Sequence, residues 1–361
     1  MKRVFLIAGF LLLAFGVSRA QSGRTKIYSE SSPQSVQTQN NQQKENREKQ
    51  SDDDEIIKID TDLVIIPARI TDSKGKPVLD LKQTEFKIFE NGSEQEIAYF
   101  SNQEQPFTVA LVLDMSYSSV FKLQEIQAAA FAFVNQLRSD DKVMVVSFDE
   151  KARVLCEPTN NRKVLKLAIE GAEIASGTSL YTALDLVLNE KFSKINGRKA
   201  VVLLSDGVDT SSKDKIPADI LRSLGNNDTL IYPIKYDTYD DVQKTRKENA
   251  EVVYDENDRP YTVIKPKVKG EREEDYRQAN EFLNQLSMQT GGTLFRVNST
   301  TNLNRAFAKI AEELRKIYSL GYYPSNPRQI GVRYAVNVRV YRPNLNIQAK
   351  ESYVWRQNTG K

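Results

Sequence analysis

Histidine is absent from all 361 residues, and cysteine occurs once, at Cys156. Without an imidazole the chain has no Ser-His-Asp or Cys-His machinery and no His-ligated zinc site. A single thiol likewise excludes an intramolecular disulfide, a CxxC redox pair and a cysteine-rich metal centre. Cys156 ends the mostly apolar stretch 152–156 and reads as a small buried hydrophobe rather than a reactive thiol. Any metal the chain holds is therefore bound by oxygen from Asp, Glu, Ser, Thr, carbonyl groups or water, which points to Mg, Mn or Ca. An excess of one charge is also lacking. With 51 basic residues against 48 acidic ones the net charge is +3, which gives no clustered basic field of the kind a nucleic-acid binder needs.

Long apolar runs are confined to residues 4–17. Lys2 and Arg3 precede the run and Ser18-Arg19-Ala20 follows it, the pattern of a secretory signal over residues 1–20 with cleavage before Gln21. The run is too short for a comfortable membrane span, so the expected location is periplasmic or extracellular. Residues 21–55 are polar almost throughout, from Gln39-Asn40-Asn41-Gln42-Gln43 to Asp52-Asp53-Asp54. Such a stretch buries too little to offset chain entropy and is expected to be a disordered linker.

Residues 56–103 are strand-like: Leu63-Val64-Ile65-Ile66 leads into a run ended by the turn Asp72-Ser73-Lys74-Gly75, and Phe86-Lys87-Ile88-Phe89 precedes the turn Glu90-Asn91-Gly92. The C-terminal residues 326–361 have the same character, with Tyr334, Val336, Val338 and Val340 alternating against Asn337 and Arg339. Neither end has enough strands to stand alone, so the two are expected to form one small β-sandwich with residues 104–325 inserted between them. Those inserted residues alternate strand and helix: strands at 108–113, 143–148, 200–204, 230–234 and 293–297, amphipathic helices at 123–137, 180–192 and 303–320. That order predicts an α/β, doubly wound, mostly parallel sheet of Rossmann-like type. An insertion at about 237–274 carries Glu251-Val252-Val253-Tyr254 and Tyr261-Thr262-Val263-Ile264, which read as a β-hairpin on the carboxyl side of the sheet.

The first strand of this unit ends in Asp114-Met115-Ser116-Tyr117-Ser118. In an open parallel sheet ligands bind beyond the carboxyl ends of the strands, where strand order reverses. One carboxylate and two hydroxyls at alternate positions there can converge on a hard cation. Gly177-Thr178-Ser179-Leu180, opening a helix, and Ser205-Asp206-Gly207-Val208-Asp209, following a strand, bring further oxygens to the same edge. Asp209 and Asp149 read as solvated rim carboxylates.

Asp114-x-Ser116-x-Ser118, with Thr178 and Asp206-Gly207 in the same order, resembles the metal-ion-dependent adhesion site of von Willebrand factor A domains. The resemblance covers roughly residues 107–320. Asp72-Ser73-Lys74-Gly75-Lys76-Pro77-Val78 and Tyr318-Ser319-Leu320-Gly321-Tyr322-Tyr323-Pro324 are similar to segments of exported bacterial proteins of this kind. The resemblance implies that Ser116, Ser118 and Thr178 ligate one Mg2+ (or Mn2+ or Ca2+). Asp114 and Asp206 then act directly or through water, and a partner's Asp or Glu carboxylate completes the octahedron. The function it implies is non-enzymatic, metal-dependent protein binding or adhesion. A scaffolding role with an incidental metal, and a Mg-dependent hydrolase using Ser116 or Asp114 as nucleophile, stay open as alternatives, although no general base stands in the motif.

Overall fold

The computed structural model describes residues 63–117, 123–225 and 227–355. The expected signal segment 1–20 and linker 21–55 lie outside the described residues. In chain order come strands β1 (Val64–Asp72), β2 (Phe86–Glu90), β3 (Ser93–Gln95) and β4 (Tyr99–Ser101). They are followed by β5 (Phe107–Asp114), helix α1 (Leu123–Gln136), β6 (Lys142–Phe148), β7 (Ala152–Thr159), α2 (Arg162–Glu170) and α3 (Leu180–Asp185). Next are β8 (Arg198–Ser205), α4 (Pro217–Leu224), β9 (Leu230–Tyr236), α5 (Tyr239–Glu248) and a hairpin of β10 (Glu251–Tyr254) with β11 (Pro260–Val263). The last elements are α6 (Glu273–Thr290), β12 (Phe295–Val297), α7 (Thr300–Arg315), β13 (Tyr318–Tyr322), β14 (Arg333–Val340), β15 (Leu345–Ala349) and β16 (Ser352–Val354).

The central sheet runs β12-β9-β8-β5-β6-β7, parallel at every step except β6 against β7. β5 is apolar on both faces because both are covered. Val109, Leu111 and Leu113 pack with α1, α2 and α7, while Ala110 and Val112 pack with α3, α4 and α6. This is the α/β, doubly wound architecture that the strand and helix order implies.

Two helices depart from their apolar spacing. α7 stops at Arg315 instead of running to Leu320, and Tyr318–Tyr322 is strand β13, paired with β1 on one side and β4 on the other. Pairing of all five residues with β1 and of Ser319–Gly321 with β4 satisfies most of that segment's backbone, which outweighs the helical period of Ile317 and Tyr318. The helix expected over 180–192 is α-helical only to Asp185 and continues as a π-helical turn, Leu186–Lys191. Cys156, on β7, is half-buried rather than buried, and burial raises its thiol pKa, which keeps it protonated.

Strands from the two ends of the described chain interleave in two antiparallel sheets, β15-β1-β13-β4 and β16-β14-β2-β3. β1 registers Ala68 with Ala349, and β2 registers Ile88 with Val338. The sheets share one apolar core, which includes Ile66, Ile70, Phe86, Ile88, Leu320 and Val336, and so form a sandwich. Within it Glu90 is buried yet well supplied with donors. The hydroxyls of Tyr322 and Tyr353 donate to its Oε2 at 2.7 and 2.6 Å, and Arg328 forms an ion pair with it at 2.6 Å.

The sandwich meets the α/β unit at the amino ends of the parallel strands. Arg198, opening β8, donates from Nη2 to Ser319 Oγ at 2.9 Å. Lys350 Nζ donates to the carbonyls of Leu224, Gly225 and Asn227 at 3.0, 3.3 and 2.5 Å, closing the carboxyl end of α4. Arg69 on β1 pairs with Glu313 on α7 and donates to Gln348 on β15, which donates in turn to the Gly292 carbonyl. Burial raises the Glu313 carboxyl despite Arg69 beside it, so the pair's desolvation outweighs its attraction.

Two measurements check these polar nodes. Arg69→Met or Glu313→Leu alone should cost about 3–5 kcal/mol in urea unfolding, since one buried charge is left uncompensated, and the double variant should recover most of that loss; equal costs for single and double variants would refute the coupling. For Glu90, burial pushes the pKa up, but the bonds from Arg328, Tyr353 and Tyr322 outweigh it and the net direction is down. A lowered folded pKa gives stability that is present above the ordinary carboxylate range and lost as pH falls through the folded value. Glu90→Gln should therefore flatten the loss of stability below the ordinary carboxylate pKa in an acid titration followed by circular dichroism.

Candidate metal centre

The chain enters the sheet at its middle, on β5, adds β6 and β7 on one side, then crosses back to add β8, β9 and β12 on the other. The reversal of strand order therefore lies between β5 and β8. Their register pairs Leu113 with Leu204, so Asp114 and Ser205 leave the sheet side by side. Asp114 is 1% exposed and Ser205 likewise 1%. Asp114 Oδ1 accepts from the amide and the hydroxyl of Ser116 at 3.1 and 2.6 Å, and Oδ2 accepts from Ser205 Oγ at 2.6 Å.

Asp206 follows directly and is also buried. Its Oδ1 accepts the Val208 amide at 2.9 Å and its Oδ2 the Thr238 hydroxyl at 2.5 Å. Thr238 in turn meets the Tyr276 hydroxyl at 3.2 Å. Gly207 takes φ +87, and a Cβ there would lie 2.7 Å from Leu283 of α6, so the turn that presents Asp206 needs glycine on two counts.

Thr178 comes to this edge through a clasp between loops. Its carbonyl accepts the amides of Thr210 and Ser211, each at 2.9 Å. Its own amide donates to their hydroxyls at 3.0 and 3.1 Å. Ser179 donates from both amide and hydroxyl to the Asp149 carbonyl at 2.7 and 2.8 Å. The Ala175 amide donates to the Met115 carbonyl at 2.9 Å. Gly177, at φ +78, sits so close that a Cβ would lie 2.4 Å from Ser211 Oγ. The loops bearing Asp114 and Ser116, Thr178 and Asp206 are thus locked to one another. Ser118 lies outside the described residues.

The electrostatics follow from this packing. Burial, then the nearby Asp206 carboxylate, push the Asp114 carboxyl up, against the hydrogen bonds from Ser116 and Ser205. Two buried carboxylates that repel each other fit a bound cation between or beside them. Among the described residues no three acidic, cysteine or histidine side chains converge as a metal cluster, so a cation here would rely on hydroxyls and water as much as on carboxylates. That donor set suits a hard, oxygen-seeking ion.

Asp149 and Asp209, expected to be solvated, are 2% and 4% exposed. Asp209 accepts the Tyr181 amide at 3.0 Å and both the amide and hydroxyl of Ser212 at 3.0 and 2.6 Å. Asp149 pairs with Arg153 and accepts the Lys151 amide at 2.9 Å. Both shape the loops, and the amide-rich turns around them are what draw them inward. Sequence reasoning also missed Ser205 and Thr238 as the groups orienting the two aspartates. Ser205 was legible from its place between an apolar strand and Asp206, whereas Thr238 carries no local signal.

Residues 109–208 match the family model of the von Willebrand factor type A domain. An uncharacterized protein of Synechocystis sp. is 30% identical over 106 residues, which span 28% of this chain and only 25% of that protein. A von Willebrand factor type A structure from Catenulispora acidiphila is 13% identical, covering 83% of this chain and 75% of that one at a TM-score of 0.43. Proximal thread matrix protein 1 from the mussel byssus, with a zinc-occupied MIDAS motif, is 15% identical, covering 63% and 50% at a TM-score of 0.42. The matched segment holds Asp114, Ser116, Ser118, Thr178 and Asp206. Over residues 109–208, then, this chain is similar to the von Willebrand factor type A domain.

Proposed function

We propose that the chain is a non-enzymatic, metal-dependent protein-binding module that acts in the cell envelope or outside the cell. Ser116, Ser118 and Thr178 would hold one divalent ion, Mg2+ foremost and Mn2+ or Ca2+ otherwise, with Asp114 and Asp206 behind them. The observation that carries this reading is the pair of buried carboxylates at the β5/β8 reversal, each oriented by a hydroxyl, Ser205 for one and Thr238 for the other. An ion bound largely through hydroxyls and water stays electron-poor and attracts an outside anion, so the expected partner is a protein or peptide offering an Asp or Glu carboxylate. The signal-like segment at residues 1–20 supports export. Among the described residues no helix is long and apolar enough to cross a membrane.

The site loops are interlocked, so the test uses a shape-preserving change. Asp114→Asn keeps the volume and removes the charge. Mg2+ at about 100 times its dissociation constant should stabilise the wild type by about 2.7 kcal/mol, seen as a rise in Tm. Asp114→Asn and Thr178→Ala should show little or no such rise and little or no heat of Mg2+ binding in calorimetry. Equal Mg2+ affinity in the wild type and both variants sinks the assignment.

A further inference from the structure

The segment between β9 and α6 is built against the metal edge. Thr238, at its start, orients Asp206. Near its end Gly270 packs on Thr210, where a Cβ would lie 2.7 Å from the threonine methyl, and Lys269 Nζ lies 3.8 Å from Asp209 Oδ1. Residues 264–271 therefore form a strap that runs beside the loop carrying Asp206. α5 is tied to the strap by Arg246 Nε, which pairs with Glu271 at 2.9 Å, and by Gln243 Nε2, which donates to the Glu271 carbonyl at 2.9 Å.

Between α5 and the strap lies a groove of about 590 Å³. Val242 and Thr245 line it from α5, Ile264, Pro266 and Val268 from the strap, and Tyr117 lines it as well. Tyr117 follows Ser116 directly and is 64% exposed, so the groove opens one residue from a candidate ligand. Of the charged residues that line it, Arg246 is matched by Glu271 and Lys265 by Glu251 at 2.7 Å, with Asp241 of α5 beside them. Lys267 differs. Its Nζ meets only the Tyr239 hydroxyl, at 3.2 Å, and that ring's face, at 5.3 Å, with no carboxylate in ion-pair range among the described residues.

We propose that this groove takes an apolar side chain of the same partner segment whose carboxylate meets the ion. The recognised element is then a short acidic stretch with an aliphatic or aromatic residue near its Asp or Glu. The proposal rests on the metal-dependent reading above and extends it to the partner's sequence. Charge complementarity selects this occupant: the cation of the proposed site and Lys267, on the strap beside the groove, favour an acidic segment, while the apolar walls Val242, Ile264, Pro266 and Val268, with Asp241 among the lining, leave an uncharged side chain as the best filling. Exposed Ile264 and Val268 would lose their contact with water on binding, as at the centre of an interface.

The probe is a phage-displayed library of random dodecapeptides, selected on the immobilised full chain in Mg2+ and eluted with EDTA. Enriched peptides should carry Asp or Glu with Leu, Ile, Val or Phe within about four positions, a reach of about 13 Å for extended chain. Synthetic copies should bind Val242→Asp and Thr245→Arg roughly tenfold more weakly, the effect of losing one well-buried apolar contact, while calorimetric Mg2+ affinity stays unchanged. Two groove variants, each shown by circular dichroism and Mg2+ binding to be folded, guard against loss of structure in one. Intact Mg2+ binding with no apolar preference in the enriched peptides, or with wild-type affinity in both groove variants, overturns the groove alone. So does a concentration-dependent dimer in sedimentation that Val242→Asp abolishes, since the occupant would then be a second copy. Failure of the wild type to bind Mg2+ overturns the metal reading and this proposal together.

Discussion

The arrangement depends on the pairing of β5 with β8. β5 is the strand at which the chain enters the sheet, it is apolar on both faces, and its register with β8 matches Leu113 to Leu204. β5 is held in register by pairing on both edges, with β6 and with β8, and by close packing of differently sized side chains against the helices on each face. Its last residue, Asp114, is therefore delivered to a fixed place beside Ser205. Everything polar at that edge is arranged around the result: Ser116 and Ser205 hold Asp114, Thr238 holds Asp206, and the Thr178 clasp joins the loops. The cost of burying two carboxylates near one another is borne by the apolar sheet beneath them, in keeping with strained polar sites seated on rigid scaffolds.

Much of this was legible in the sequence because the signals were strong and local. Residues 107–114 and 198–205 are apolar on both faces, which only a strand covered on both sides explains, and the residues ending them are chemically conspicuous. The hairpin at 251–264 showed itself through two β-rich runs around Asp255-Glu256-Asn257-Asp258. What escaped was decided by distant partners. β7, Ala152–Thr159, alternates poorly and is a strand because β6 offers an edge. β13 has helical spacing and becomes a strand because β1 and β4 flank it. α5 buries no side chain fully, so it has no apolar stripe to read. Asp149 and Asp209 looked like rim residues because a string of letters does not show which amides turn toward a carboxylate.

The two edges of the parallel sheet have different duties, and their chemistry differs accordingly. At the amino edge the sandwich is fastened by Arg198 to Ser319, Lys350 to the end of α4, and Arg69 to Glu313, contacts between groups already paired and largely shielded from water. At the carboxyl edge lie the paired acids and the exposed apolar residues Tyr117, Ile264 and Val268. A partner approaching the carboxyl edge does not have to displace the sandwich, and the sandwich's strands are spent on covering one another. The fold thus separates what holds it together from what faces outward.

The hairpin adds a further physical constraint to that outward edge. Among the described residues β10 and β11 pair only with each other, and all eight of their residues are exposed. A lone two-stranded ribbon is marginal in water, so its position depends on its roots, α5 on one side and the strap on the other. Those roots are held by Arg246 to Glu271, Gln243 to the Glu271 carbonyl and Gly270 against Thr210. The base of the ribbon is thereby registered to the loop bearing Asp206. On the proposed reading, a side chain seated in the groove at that base meets a wall held by those ties, one residue from Ser116, while Val252, Tyr254 and Tyr261 are exposed farther out. On that reading selectivity would reside at the root, where these ties hold the geometry, rather than at the tip, where Tyr254 and Tyr261 are exposed.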